Sequence, residues 1–158
     1  MLYYSIIYSR LLYGIMLYAN TYLFLLHDLI ILNNRILRII QHQTSSYPIR
    51  NLYSHFNTLP IDKLFIFQTL LHAHQLVFKS DNLPSFFHHN YIFNYDVHSH
   101  STRNSNSLHR SNTNTTYGTK VSLNLCAKHW SQIPSNLTSL SSFFIFKKQI
   151  KNHLLNSY

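Results

Sequence analysis

Twelve histidines, one cysteine, four aspartates and no glutamate are the side chains available for chemistry in this 158-residue chain. Two-metal phosphoryl transfer needs carboxylates held close enough to clamp two ions. The four here, Asp28, Asp62, Asp81 and Asp96, are never nearer than fifteen positions and form no Asp-Asp or Asp-x-Asp pair. A Ca²⁺ cage or a paired-carboxylate hydrolase is equally out of reach. The only glycines are Gly14 and Gly118, so no glycine-rich loop can cradle a phosphate. Cys126 has no Asp nearby in sequence to orient a partner base. The expectation is a chain with no catalytic residue, cofactor, metal or small-molecule substrate.

The histidines allow one alternative. His72 and His74 lie two apart on a predicted helix and diverge, whereas His98 and His100 face the same way if extended. With Cys126 and His129 that pair would complete a four-ligand zinc set, a zinc-stabilised binding module.

Charge says more. Thirteen Lys and Arg against four Asp give a formal charge of +9. Beyond Asp96 there is no acid, while Arg103, Arg110, Lys120, Lys128, Lys147, Lys148 and Lys151 are all cationic. A solvated surface normally mixes both signs, so a single-sign half points to an anionic partner, nucleic acid or an anionic membrane. The many Tyr, Phe, Ile and Asn residues chiefly reflect an A/T-rich coding sequence.

Helices must position these groups. Residues 2–20 are apolar but for Arg10, and positions 11–26 are uncharged; sixteen residues fall short of the roughly 20 that span a bilayer. Two buried helices joined near Ala19–Asn20–Thr21 are expected. The second runs from Tyr22 to Gln41 on a stripe of Leu26, Leu29, Ile30, Leu37 and Ile40. Leu25, Ile31, Leu32 and Ile39 should widen its buried face, with Asn34, Arg35 and Arg38 outside it, and the polar run from Thr44 to Pro48 should end it. A short helix is expected at Ile49–Phe56, and a long one with Asp62 as N-cap up to Lys79, stopped by 81–84. Residues 88–118 read as a flexible polar connector, with Leu108 the one aliphatic residue between Ser99 and Thr116. Val97–Thr102 and Lys120–Leu125 are candidates for a short β-hairpin, and Ser141–Leu155 for a terminal helix. Trp130 should be buried beside Ile133, Leu137 and Phe146.

Taken in order, these segments resemble the C-terminal thumb and tail of the reverse transcriptase of non-LTR retrotransposons, particularly jockey-like elements. Tyr8–Ser9–Arg10–Leu11–Leu12–Tyr13–Gly14–Ile15 is similar to the first thumb helix. Asn33–Asn34–Arg35 with Arg38 resembles the next, and Leu59–Pro60 and Leu83–Pro84 bracket the following one. Thr102–Arg103, Trp130 with Ile133–Pro134, and Phe146–Lys147–Lys148 resemble tail motifs. Cys126–Ala127 departs from the family's Gly-Pro, and Ser131 from its Asn. The resemblance implies that fingers and palm, with the metal-binding Asp pair, belong upstream of Met1, and that location is nuclear or cytoplasmic.

The expected architecture is mainly α: a thumb-like helical bundle at 1–87, a connector at 88–118 and a small C-terminal unit at 119–158. The expected function is sequence-independent binding of RNA or an RNA–DNA duplex through Arg35, Arg38, Arg103, Lys147, Lys148 and Lys151, without catalysis. The alternative is a small basic membrane-associated protein anchored by residues 2–32.

Overall fold

The computed structural model describes residues 2–79, 92–97, 100, 105 and 107–157. The chain is mainly helical, as its apolar periodicities require. It divides into two compact units, Met1–Gln68 with Lys151–Tyr158, and Thr69–Ile150.

The first unit opens with a π-helical run, Tyr3–Tyr8, followed by α1 (Ser9–Leu12) and α2 (Ile15–Tyr18). One break comes at Tyr13–Gly14, inside the first expected helix, and the expected joint near Ala19–Asn20–Thr21 is present as well, between the end of α2 at Tyr18 and Leu23. Tyr13 is extended and Gly14 has φ of 68°, a left-handed conformation that glycine adopts at no steric cost. α3 (Leu23–Ile40) buries Leu26 and Leu37 as expected. It also buries Asn33 and Asn34, while Leu25, Ile31, Leu32 and Ile39 are exposed, the reverse of expectation.

The reason is a polar network inside the core. Tyr53 Oη donates to Asn34 Oδ1 at 2.6 Å and accepts from Asn33 Nδ2 at 3.0 Å, and Tyr3 Oη donates to Asn33 Oδ1 at 3.3 Å. Satisfied in this way, two amides can occupy core positions that would otherwise cost desolvation energy. They rotate α3 so that aliphatic residues on its far side face outward. Tyr3, Leu37, Leu52 and Tyr53 form the core cluster, with Tyr4, Ile7, Tyr8 and Phe56 packed against it. Burial raises the Tyr3 hydroxyl pKa and pushes Tyr8 up to about 12, so both stay neutral.

α3 ends at Ile40 with Gln41 as its C-cap, at the expected bound and ahead of the Thr44–Pro48 run. His42 adopts φ of 53°, Gln43 N–H bonds Arg38 O at 2.9 Å and His42 N–H bonds Ile39 O at 3.1 Å, a Schellman stop. Asn57 closes α4 (Ile49–His55) in the same way, with φ of 46° and Thr58 N–H on Tyr53 O at 3.0 Å. α5 (Ile61–Phe78) starts one residue before Asp62, which therefore lies inside the first turn, beside the positive end of the helix dipole, and is not the N-cap.

In the second unit, described residues of the connector pair through their backbones. Phe93 and Leu108 form an isolated antiparallel bridge, and His109 N–H bonds Ile92 O at 2.7 Å. Leu108, the one aliphatic residue between Ser99 and Thr116, is buried. Two short turns of helix follow in sequence, α6 (Asn94–Val97) and α7 (Thr116–Thr119). Of the expected hairpin partner Lys120–Leu125, the last four residues are helical instead, in α8 (Ser122–Trp130), and Val97 ends α6. Asn124 explains the preference: its Oδ1 accepts from Ser111 N–H at 3.0 Å and its Nδ2 donates to Gly118 O at 2.7 Å, tying the loop to the helix. α9 (Ser135–Thr138) and α10 (Phe143–Asn156) complete the chain. Phe146, Ile150 and Leu154 are buried at successive turns of α10, each contributing roughly 1.5–3 kcal/mol. Trp130 is buried, with its ring centroid 5.6 Å from Phe146, and Leu137 is buried as well. Among the described residues, no helix is long and apolar enough to cross a membrane.

Candidate nucleic-acid interface

α10 assembles the most coherent cationic surface. Its buried stripe fixes the rotation of the helix, and that rotation turns Lys147 and Lys148 outward, with Lys151 half-buried one turn beyond Lys147. At 3.6 residues per turn the three ammonium groups share a flank of about 100°. No carboxylate occurs on α10, so nothing within the helix neutralises them. Such a row offers mobile point charges suited to phosphates.

Downstream on the same helix, Asn152 and Asn156 line a cleft of about 410 Å³ with Arg50, Ser54 and Asn57. Arg50 brings a positive charge, and the three amides each offer a donor and an acceptor. Nothing in its sequence neighbourhood sets Arg50 apart from the other cations. What singles it out is the left-handed turn at Asn57, which folds the end of α4 into one wall of the cleft.

The remaining predicted site residues are dispersed. Arg35 is exposed on α3 in apolar surroundings. Arg38 is half-buried and donates Nη2–H to Tyr47 O at 3.2 Å, bracing the turn after α3. Arg103 and His98 lie outside the described residues, as does the helix stop at 81–84. The zinc set finds no support among the described residues, which hold no group of three or more metal-ligating side chains. Cys126 is buried and turns its thiol to Thr69 O at 3.8 Å, while His129 Nδ1 pairs with Gln132 Oε1 at 3.3 Å.

His74 sits at the heart of the second unit. Its ring stacks on Phe146 at 4.4 Å and lies 6.3 Å from Trp130, and Nε2–H donates to Leu140 O at 2.8 Å. Nδ1 is buried without a hydrogen-bond partner, and burial lowers the ring's pKa. This is a core histidine held neutral.

Comparison with protein-family models, curated proteins and solved structures gives no match for this chain.

Proposed function

We propose that this chain is a thumb-and-tail region of a non-LTR retrotransposon reverse transcriptase that grips template–primer nucleic acid without reading its sequence and does no chemistry by itself. The observation that carries the reading is the lysine row of α10, with Lys147 and Lys148 facing solvent and no acid on the helix to oppose it. Backbone phosphates are the anions that such a row fits, and contacts to them position a protein without conferring base preference. The Arg50 cleft adds directed donors within the first unit. The helical architecture agrees with a thumb, and the ordered motifs from Tyr8 to Lys151 supply the family resemblance.

The test is the salt dependence of binding to a labelled RNA–DNA duplex, followed by fluorescence anisotropy. Replacing Lys147, Lys148 and Lys151 together by Gln should flatten the slope of log K against log[salt] by about 2–3, near 0.7–0.9 per lost phosphate contact. Circular dichroism verifies that α10 survives. An unchanged slope in a folded variant, or a wild-type chain that does not bind the duplex, overturns the proposal.

A further inference from the structure

The outward face of α3 carries six exposed residues in a palindromic arrangement: Phe24, Asp28, Ile31, Leu32, Arg35 and Ile39. The steps between them are four, three, one, three and four, so a point between Ile31 and Leu32 separates two mirror halves. At 3.6 residues per turn they occupy a sector of about 100°, on the side of the helix opposite buried Leu26 and Leu37. Phe24 is 72% exposed, Ile39 64%, Leu32 53% and Ile31 50%. The halves match in hydropathy, apolar–charged–apolar, and are opposite in charge. Among the described residues Asp28 meets only the adjacent His27, at 3.7 Å, and no hydrogen bond or ion pair engages Arg35.

We infer that this face is a self-association surface, on which α3 of a second copy of the chain lies antiparallel across a two-fold axis passing between Ile31 and Leu32. An isologous contact brings the same patch together twice, so a like-charged patch would repel itself. Antisymmetry removes that penalty. The two-fold places Asp28 opposite Arg35 of the second copy, and Arg35 opposite its Asp28, each pair about 5 Å along the helix from the axis. Ile31 then meets Ile31 of the second copy on one flank of the axis and Leu32 meets its Leu32 on the other, while Phe24 shares a layer with its Ile39, closing the apolar surface around both ion pairs. The opposed helix dipoles also favour the antiparallel arrangement.

Charge complementarity decides the occupant. A phosphate track would be repelled by Asp28 and would gain nothing from four large apolar neighbours. An anionic membrane offers no cation for Asp28. A second copy supplies both the opposite charge and an equal apolar surface, and large exposed apolar patches mark such interfaces. The inference stands independently of the nucleic-acid reading, and it assigns Arg35 to self-pairing rather than to phosphate.

Sedimentation equilibrium of the full chain tests it. The expected result is a reversible dimer that weakens on the order of tenfold or more in D28R and in R35D, each of which turns both ion pairs into like-charge contacts. The double reversal D28R/R35D should return the dissociation constant to within about threefold of wild type, as coupled neighbours do. A second route avoids charge changes: with Leu32→Cys beside the axis, mild oxidation should give a covalent dimer on a non-reducing gel. A monomer at every concentration, a dimer indifferent to either reversal, a double reversal that fails to restore pairing, or vesicle binding by a chain that does not self-associate each overturns it.

Discussion

Removing a single oxygen, in Tyr53→Phe, should cost the first unit a large share of its stability. That hydroxyl is both the acceptor for Asn33 Nδ2 at 3.0 Å and the donor to Asn34 Oδ1 at 2.6 Å. Phenylalanine keeps the ring and its packing on Leu37 and Leu52 but strands one donor and one acceptor, on residues only 2% and 7% exposed. Each buried polar atom left unsatisfied costs about 1–3 kcal/mol, so the two together cost about 2–6 kcal/mol. Domain stabilities are about 5–15 kcal/mol, so the loss is a sizeable fraction of the whole. In thermal melts it corresponds to a fall of about 5–20 °C. Urea unfolding followed by far-UV circular dichroism gives the free energy, with Tyr13→Phe as the control at an exposed phenol. A loss below about 0.5 kcal/mol would show that the asparagines are buried by shape alone and refute the network argument.

Acid should loosen the second unit through its buried and half-buried histidines. Burial lowers the folded-state pKa of His74, His72 and His129 below the ordinary 6.5. The unfolded chain therefore binds protons that the folded chain refuses, and stability is complete above pH 6.5 and falls as the pH drops from there toward the folded values. Urea midpoints measured between pH 8 and 5.5 should decline over the lower part of that range. His74→Gln, which keeps a donor for Leu140 O, should flatten the decline; a midpoint independent of pH in the wild type would contradict the burial argument. Asn124→Ala should leave Ser111 N–H and Gly118 O without their shared clamp, at about 1–3 kcal/mol for each that stays buried. Proteolysis within 111–118 should quicken accordingly, and an unchanged cleavage rate would show that Asn124 does not hold this loop.

The helices on which these predictions rest were legible to different degrees. Phe146, Ile150 and Leu154 declared α10 because their spacing is set by one helix turning a single face inward, a local property. α8 was misread: Val121, Leu123 and Leu125 alternate over five residues, and the helical face of Leu125, Cys126, Ala127 and Trp130 emerges only over a longer window. The burial of Asn33 and Asn34 could not be read locally at all, since their partners lie 19 to 30 positions away. A buried amide looks like a surface amide until its partner is in place. The same event hid the exposed face of α3, whose aliphatic residues read as core in isolation. Of the candidate interface, the lysine row was visible as charge spacing, whereas the Arg50 cleft depends on a left-handed turn at Asn57 that composition does not reveal.

Cys126 has a consequence of a different kind. It is the chain's only thiol and is buried in the second unit, with Thr69 O against its sulfur. A reagent can reach it only when that unit opens, so its alkylation rate follows an opening equilibrium rather than surface reactivity. The protein thus carries a built-in clock for the breathing of one of its two units, silent to events confined to the other. For the same reason a cysteine introduced at the surface reacts against a quiet background, and the sole native thiol stays out of disulfide chemistry for as long as its unit remains folded.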